Sequence, residues 1–187
     1  MKTIATINFK GGVGKTTIVW CLGDVLSNTS RARTLLFDLD AQMSLTHAVA
    51  FNEGAWGSGY RFTEWYDSAR GKHRTIFDAI LAFAKLDGQF KFDVSDSFIY
   101  RLNDAFHFVP SDEQLYWLEL RYRDVAPEAV KPFVRNLLDK ISGAHTLPQY
   151  DYALFDCPPS FLDSHEFLLG CHVANPFVLR VFLLSSN

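Results

Sequence analysis

With 187 residues the chain is long enough for one well-packed domain and short for two. Hydrophobic residues make up 48% and charged residues 21%, the balance of a soluble globular protein, and a net charge of −3 excludes the overall positive field that draws nucleic acid to a whole surface. The three cysteines, Cys21, Cys157 and Cys171, are odd in number and far apart, so neither a disulfide framework nor a C-x-x-C zinc site is expected.

The first strand is expected at residues 2–8, and it runs directly into the glycines of "KGGVGKTT" at 10–17. That leaves no room for the apolar core of a signal peptide. No apolar stretch approaches bilayer length either, so a cytoplasmic setting is expected. From Lys15 onward, Ile18, Leu22, Val25 and Leu26 recur at helical spacing. "RTLLFDLD" at 33–40 reads as a second buried strand ending in acids. Strand, glycine turn, helix and strand make a βαβ unit, which implies a parallel sheet.

Residues 52–74 mix glycine, aromatic and charged side chains without clear periodicity and read as a surface loop. Thr75 can cap a helix reaching Leu86, "AFHFVP" at 105–110 reads as a strand, and Ser111 as the cap of a further helix. Pro127 stands near the start of a helix to Ser142. "YDYALFDCPPS" at 150–160 is a buried strand ending at Asp156, stopped by two prolines. One more helix and the strand "PFVLRVFLL" at 176–184 complete a single α/β domain spanning 1–187, a mostly parallel sheet flanked by helices.

The glycine loop carries the strongest chemical signal. Gly11, Gly12 and Gly14 allow a turn whose successive N–H groups point at an anion, and the following helix aims its positive end at the same place. Lys15 can neutralise β- and γ-phosphates, and the Thr16 hydroxyl can hold a magnesium ion. The common pattern G-x-x-x-x-G-K-[ST] fails at one position, because Phe9 stands where its first glycine belongs. Lys10, at the mouth of the loop, has two readings: a solvated surface lysine, or a lysine that serves the phosphate site of a second subunit.

"KGGVGKTT" resembles the deviant Walker A motif of the ParA/MinD family of partition and positioning ATPases, which is defined by the extra lysine that Lys10 reproduces. The resemblance implies a P-loop fold binding ATP and Mg2+ through Gly11, Gly12, Val13, Gly14, Lys15, Thr16 and Thr17. It implies a homodimer formed on ATP binding, with Lys10 acting across the subunit boundary on the transferring phosphoryl group. "LLFDLDAQMSLT" resembles the family's switch I: Asp40 would orient the attacking water or a magnesium-bound water, Asp38 would support it, and Ala41 replaces the usual proline. "YALFDCPPS" resembles the Walker B and switch II region, with Asp156 near the magnesium shell. "TIFDAI" and "FHFVPSDEQL" echo other family segments, so the likeness covers almost the whole chain.

Family members are commonly longer, and the elements that frame the adenine, complete the dimer and supply basic residues for DNA would lie beyond residue 187. The basic residues left for non-specific DNA are Arg70, Lys72, His73 and Arg74, and Arg121 with Arg123; each cluster also reads as solvated surface. The expected activity is magnesium-dependent ATP hydrolysis that drives partition or positioning of a cargo, stimulated by a ParB-like partner protein. The alternatives are a non-hydrolysing nucleotide-binding or protein-interaction module, or a MinD-like regulator. A MinD-like membrane cycle fits less well, because no C-terminal amphipathic basic helix is present.

Overall fold

β1 (Lys2–Ile7) and β2 (Thr34–Asp38) follow one another in the chain, joined by helix α1 (Lys15–Asp24), yet they do not pair. Each hydrogen-bonds in parallel to β5 (Tyr152–Asp156), which lies between them. This computed structural model describes residues 1–7, 12–55, 61–85, 92, 94, 98–117, 133–158 and 177–180. In it the sheet order is β3-β4-β2-β5-β1-β6, where β3 is Tyr100–Arg101, β4 is Phe106–Val109 and β6 is Phe177–Arg180. Only β3, at one edge, runs antiparallel. The expected α/β architecture is therefore present. Lys10 and Gly11, Arg121 and Arg123, Cys171, Pro127 and the helix expected before the last strand lie outside the described residues.

Buried strands alternate their side chains between two cores, as a two-faced sheet requires. Leu35, Phe37, Ala153 and Phe155 join one core with Ile76 and Ile80 of α4 (Ile76–Lys85) and with Val134, Leu137 and Ile141 of α5 (Phe133–Gly143). Leu36, Phe106, Phe108 and Leu154 join the other, with Val19 of α1 and with α2 (Ser44–Ala55) and α3 (Arg61–Gly71). Phe37 and Phe155, register partners on adjacent strands, stack at 4.6 Å.

The expected surface loop at 52–74 is corrected: α2 continues to Ala55 and α3 occupies Arg61–Gly71. Phe62, Tyr66 and Ala69, spaced i, i+4 and i+7, are buried on one face of α3. Phe62 meets the Tyr100 ring edge-on at 5.0 Å. That short apolar stripe outweighs the glycines around it. Thr75 does cap α4, as expected. The Asp78 N–H donates to Thr75 Oγ1, and Asp78 Oδ2 accepts from the Thr75 N–H, a reciprocal pair like the capping box.

α1 lies against the sheet at a close approach. A Cβ added to Gly23 would stand 2.7 Å from Phe106 Cζ. Phe106 is buried and packed against Trp20 at 5.4 Å, so the ring has little room to retreat. Gly23→Ala should therefore destabilise the protein by ~1–3 kcal/mol, less the helix propensity that alanine adds. Urea unfolding checks this: a lower midpoint at an unchanged slope is expected, and an unchanged midpoint would show that the ring yields.

Candidate functional site

Three chain segments meet where β1, β5 and β2 end side by side. Asp156 at the end of β5 has Thr6 of β1 as its register partner on one side and Asp38 of β2 on the other. In a parallel sheet this carboxyl edge is where ligands bind.

The glycine loop leaves β1 and enters α1 at this edge. Gly12 and Gly14 have φ of +70° and +80°, a left-handed backbone that side-chain-bearing residues rarely adopt. Gly14 is the N-cap of α1 and offers no side-chain acceptor, and no acid stands in the first turn. Among the described residues no side chain caps the first N–H groups of the helix, which could therefore receive an anion. Val13 is buried, Lys15 is only 6% exposed, Thr16 is half-buried and Thr17 is exposed.

The two strand-end acids differ in their partners. Asp38 is fully satisfied: Oδ2 accepts from the Thr46 N–H (2.9 Å) and hydroxyl (2.8 Å), and Oδ1 accepts from the Asp40 N–H (3.0 Å). It thus caps the first turn of α2 from outside the helix. Asp156 is 1% exposed, and both of its carboxylate oxygens lack a hydrogen-bond partner among the described residues. Burial pushes its pKa up to about 6, and the charge of Asp40 adds to the rise. The Thr16 hydroxyl, the Lys15 ammonium and the Thr6 hydroxyl pull the other way. Burial likewise pushes Asp38 up to about 7, with the Asp156 charge second and the Thr46 hydrogen bonds opposing.

A buried carboxylate without a partner is costly, and a cation is the ligand that relieves it. Magnesium fits: it prefers oxygen donors and keeps most of its shell for phosphate and water. Asp156 and the Thr16 hydroxyl supply such donors. Among the described residues no three His, Cys, Asp or Glu side chains converge.

Asp40 is half-buried, and its Oδ1 accepts from the Gln42 N–H at 2.9 Å. Leu39 donates its N–H to the Asp156 carbonyl at 3.0 Å, which fixes the segment carrying Asp40 against the end of β5. The expected cap at Ser111 is corrected. Its hydroxyl donates to the Asp40 carbonyl at 2.6 Å, and Asp112 accepts from the Gln114 N–H instead. The sequence reading missed Thr46 altogether; a threonine two residues into an apolar helix carries no local sign of a distant aspartate.

Two of the basic candidates for DNA are engaged within the fold. Arg70 pairs with Glu113 at 2.9 Å and with Asp112 at 3.6 Å, and His73 lies 3.4 Å from Asp78. No described helix is long and apolar enough to cross a membrane.

A left-handed glycine turn feeding a helix, with a lysine behind it and acids at the ends of adjacent parallel strands, is the geometry of a P-loop fold. The model of the AAA domain family AAA_31 matches residues 1–166, and the chain belongs to this family and to the ParA/MinD family. A ParA family protein of Chlamydia muridarum is 28% identical over 160 residues, covering 86% of this chain and 51% of the relative. The chromosome partitioning protein ParA of Caulobacter vibrioides is also 28% identical over 160 residues, 86% of this chain and 49% of its own. A plasmid partition protein of Borrelia burgdorferi, solved bound to AMPPNP, shares the fold at a TM-score of 0.61 and 23% identity, covering 91% of this chain and 59% of that one. The chain spans about half the length of the two curated relatives.

Proposed function

We propose that this chain is a ParA-like ATPase in which ATP binding drives dimerisation and magnesium-dependent hydrolysis reverses it, so that DNA or another cargo is partitioned or positioned. The observation that carries the reading is the buried Asp156 carboxylate, without a well-formed hydrogen bond among the described residues, at the sheet edge where the left-handed glycine turn enters α1. The N–H groups of residues 11–17 and the Lys15 ammonium would hold the phosphates. Thr16 and Asp156 would hold magnesium, which when bound neutralises charge on the β- and γ-phosphates. Asp40 would orient the attacking water, directly or as a magnesium-bound water. Lys10 of a second subunit would stabilise charge on the transferring phosphoryl group, as an arginine finger does. A ParB-like protein would stimulate turnover, and non-specific DNA would serve as the surface. The protein would work in the cytoplasm.

Solution mass and turnover test this together. With magnesium and ATP the chain should form a dimer that ADP does not support, and Lys10→Ala should lose hydrolysis while keeping nucleotide affinity. A monomer without turnover in every condition would leave a nucleotide-binding module.

A further inference from the structure

Both backbone groups of Asp40 are clamped by a closed ring of hydrogen bonds assembled from three distant segments. The Asp40 N–H donates to Asp38 Oδ1 at 3.0 Å, and Asp38 Oδ2 accepts from Thr46 Oγ1 at 2.8 Å. Thr46 Oγ1 in turn accepts from the Ser111 N–H at 2.9 Å, and the Ser111 hydroxyl donates to the Asp40 carbonyl at 2.6 Å. That carbonyl also accepts from the Met43 N–H at 2.8 Å, where Met43 sits at a φ of +56°. Thr46 and Ser111 are buried, so water does not compete for these bonds.

The ring is braced from behind by α3. Tyr66 Oη donates to the Ser111 carbonyl at 2.8 Å, and Arg70 pairs with Asp112 and Glu113, the next two residues. Asp112 is itself buried, which makes that contact stronger than a surface pair. The helix that replaces the expected surface loop is thus fastened, through one short segment after β4, to the residue proposed to orient water.

We infer that Ser111 is a positioning residue for Asp40: together with Thr46 it fixes the backbone of residue 40, and α3 holds Ser111 in place through Tyr66 and Arg70. The inference rests on the reading of Asp40 given above. Ser111 touches no nucleotide in this scheme; it acts through the direction in which the Asp40 carboxylate is presented. A carboxylate whose backbone shifts by an ångström remains in the site but no longer orients a ligand water.

The test uses the full chain with Ser111→Ala and Tyr66→Phe, the latter removing one hydroxyl and no packing volume. Ser111→Ala should lower kcat by ~10–100-fold with KM for ATP little changed, the range seen when support for a metal-site ligand is lost. A second readout is independent of turnover: the magnesium concentration giving half-maximal thermal stabilisation by ATP should rise severalfold, while ADP affinity without magnesium stays the same. Tyr66→Phe should move both in the same direction by a smaller factor, and it decides the matter should Ser111→Ala not fold. The inference is overturned by unchanged kcat and magnesium dependence in a folded variant. It is equally overturned by an equal loss of magnesium-free ADP affinity, which would mean general loosening. A wild-type chain without turnover would defeat the ATPase reading alone, and the magnesium titration would still judge Ser111.

Discussion

Asp156→Asn should make the nucleotide-free protein more stable at neutral pH and remove the further stability that magnesium and ATP are expected to confer on the function proposed above. The ionised carboxylate is buried, with no well-formed hydrogen bond among the described residues and only partial help from the nearby Thr16 and Thr6 hydroxyls, and its pKa of about 6 lies well above the ordinary value of 3.8. Each tenfold displacement of a protonation equilibrium corresponds to ~1.4 kcal/mol, so the ionised form costs up to about 3 kcal/mol at pH 8. We expect a gain of about 1–2 kcal/mol in the variant, because the new amide needs an acceptor in the same space. The pH dependence has the opposite sign to that of a salt-bridged acid. The folded state binds more protons than the unfolded chain between pH 3.8 and the raised values near 6 and 7 for Asp156 and Asp38. Their contribution is therefore fully present below pH 3.8 and is lost as pH rises through 6 to 7. Urea midpoints from pH 5 to 8 should fall less steeply in the variant than in wild type. A variant less stable than wild type at pH 8 would show that the carboxylate has partners in solution.

Lys15→Ala should weaken ATP binding by about 2–3 kcal/mol, or ~30–150-fold, the value of a buried charge-assisted contact to phosphate. Its side chain is 6% exposed, so no water of comparable strength takes its place. The variant should remain folded, but it should raise the pKa of Asp156 further, since the Lys15 charge now lowers it. Titration with a fluorescent ATP analogue, beside urea unfolding, separates the two effects. An affinity within threefold of wild type would mean that the loop's N–H groups alone carry the phosphates.

Local signals made the nucleotide edge legible in the sequence. Glycine spacing, a lysine at the first helical position and apolar runs ending in acids are each confined to about eight residues, and among the described residues Gly12, Gly14, Lys15, Asp38 and Asp156 lie at the expected strand ends and helix start. Thr46 was missed and Ser111 was given a local capping role because their partners are 8 residues away for Thr46–Asp38 and 71 for Ser111–Asp40. Helix α3 was hidden differently. Its pattern is interrupted by charged residues, and flanking glycines suggested a loop, although Phe62, Trp65, Tyr66 and Ala69 carried the helical period all along. The place of β5 between β1 and β2 was not legible at all, because strand order depends on crossovers rather than on any one strand's residues.

That placement has a consequence for how the protein comes into being. β1 and β2 emerge first during synthesis, but every sheet partner of β1 among the described residues begins at Tyr152 or later. The glycine turn is therefore made early and is attached to a strand whose hydrogen-bonded neighbours among the described residues appear only once β5 has been made. Pairing across some 150 residues is slow, since a long loop must close before the contact rewards it. On the function proposed above, competence to bind nucleotide should thus appear only after β5 has emerged from the ribosome, and a nascent chain halted before β5 would expose two strand edges to chaperones or to aggregation.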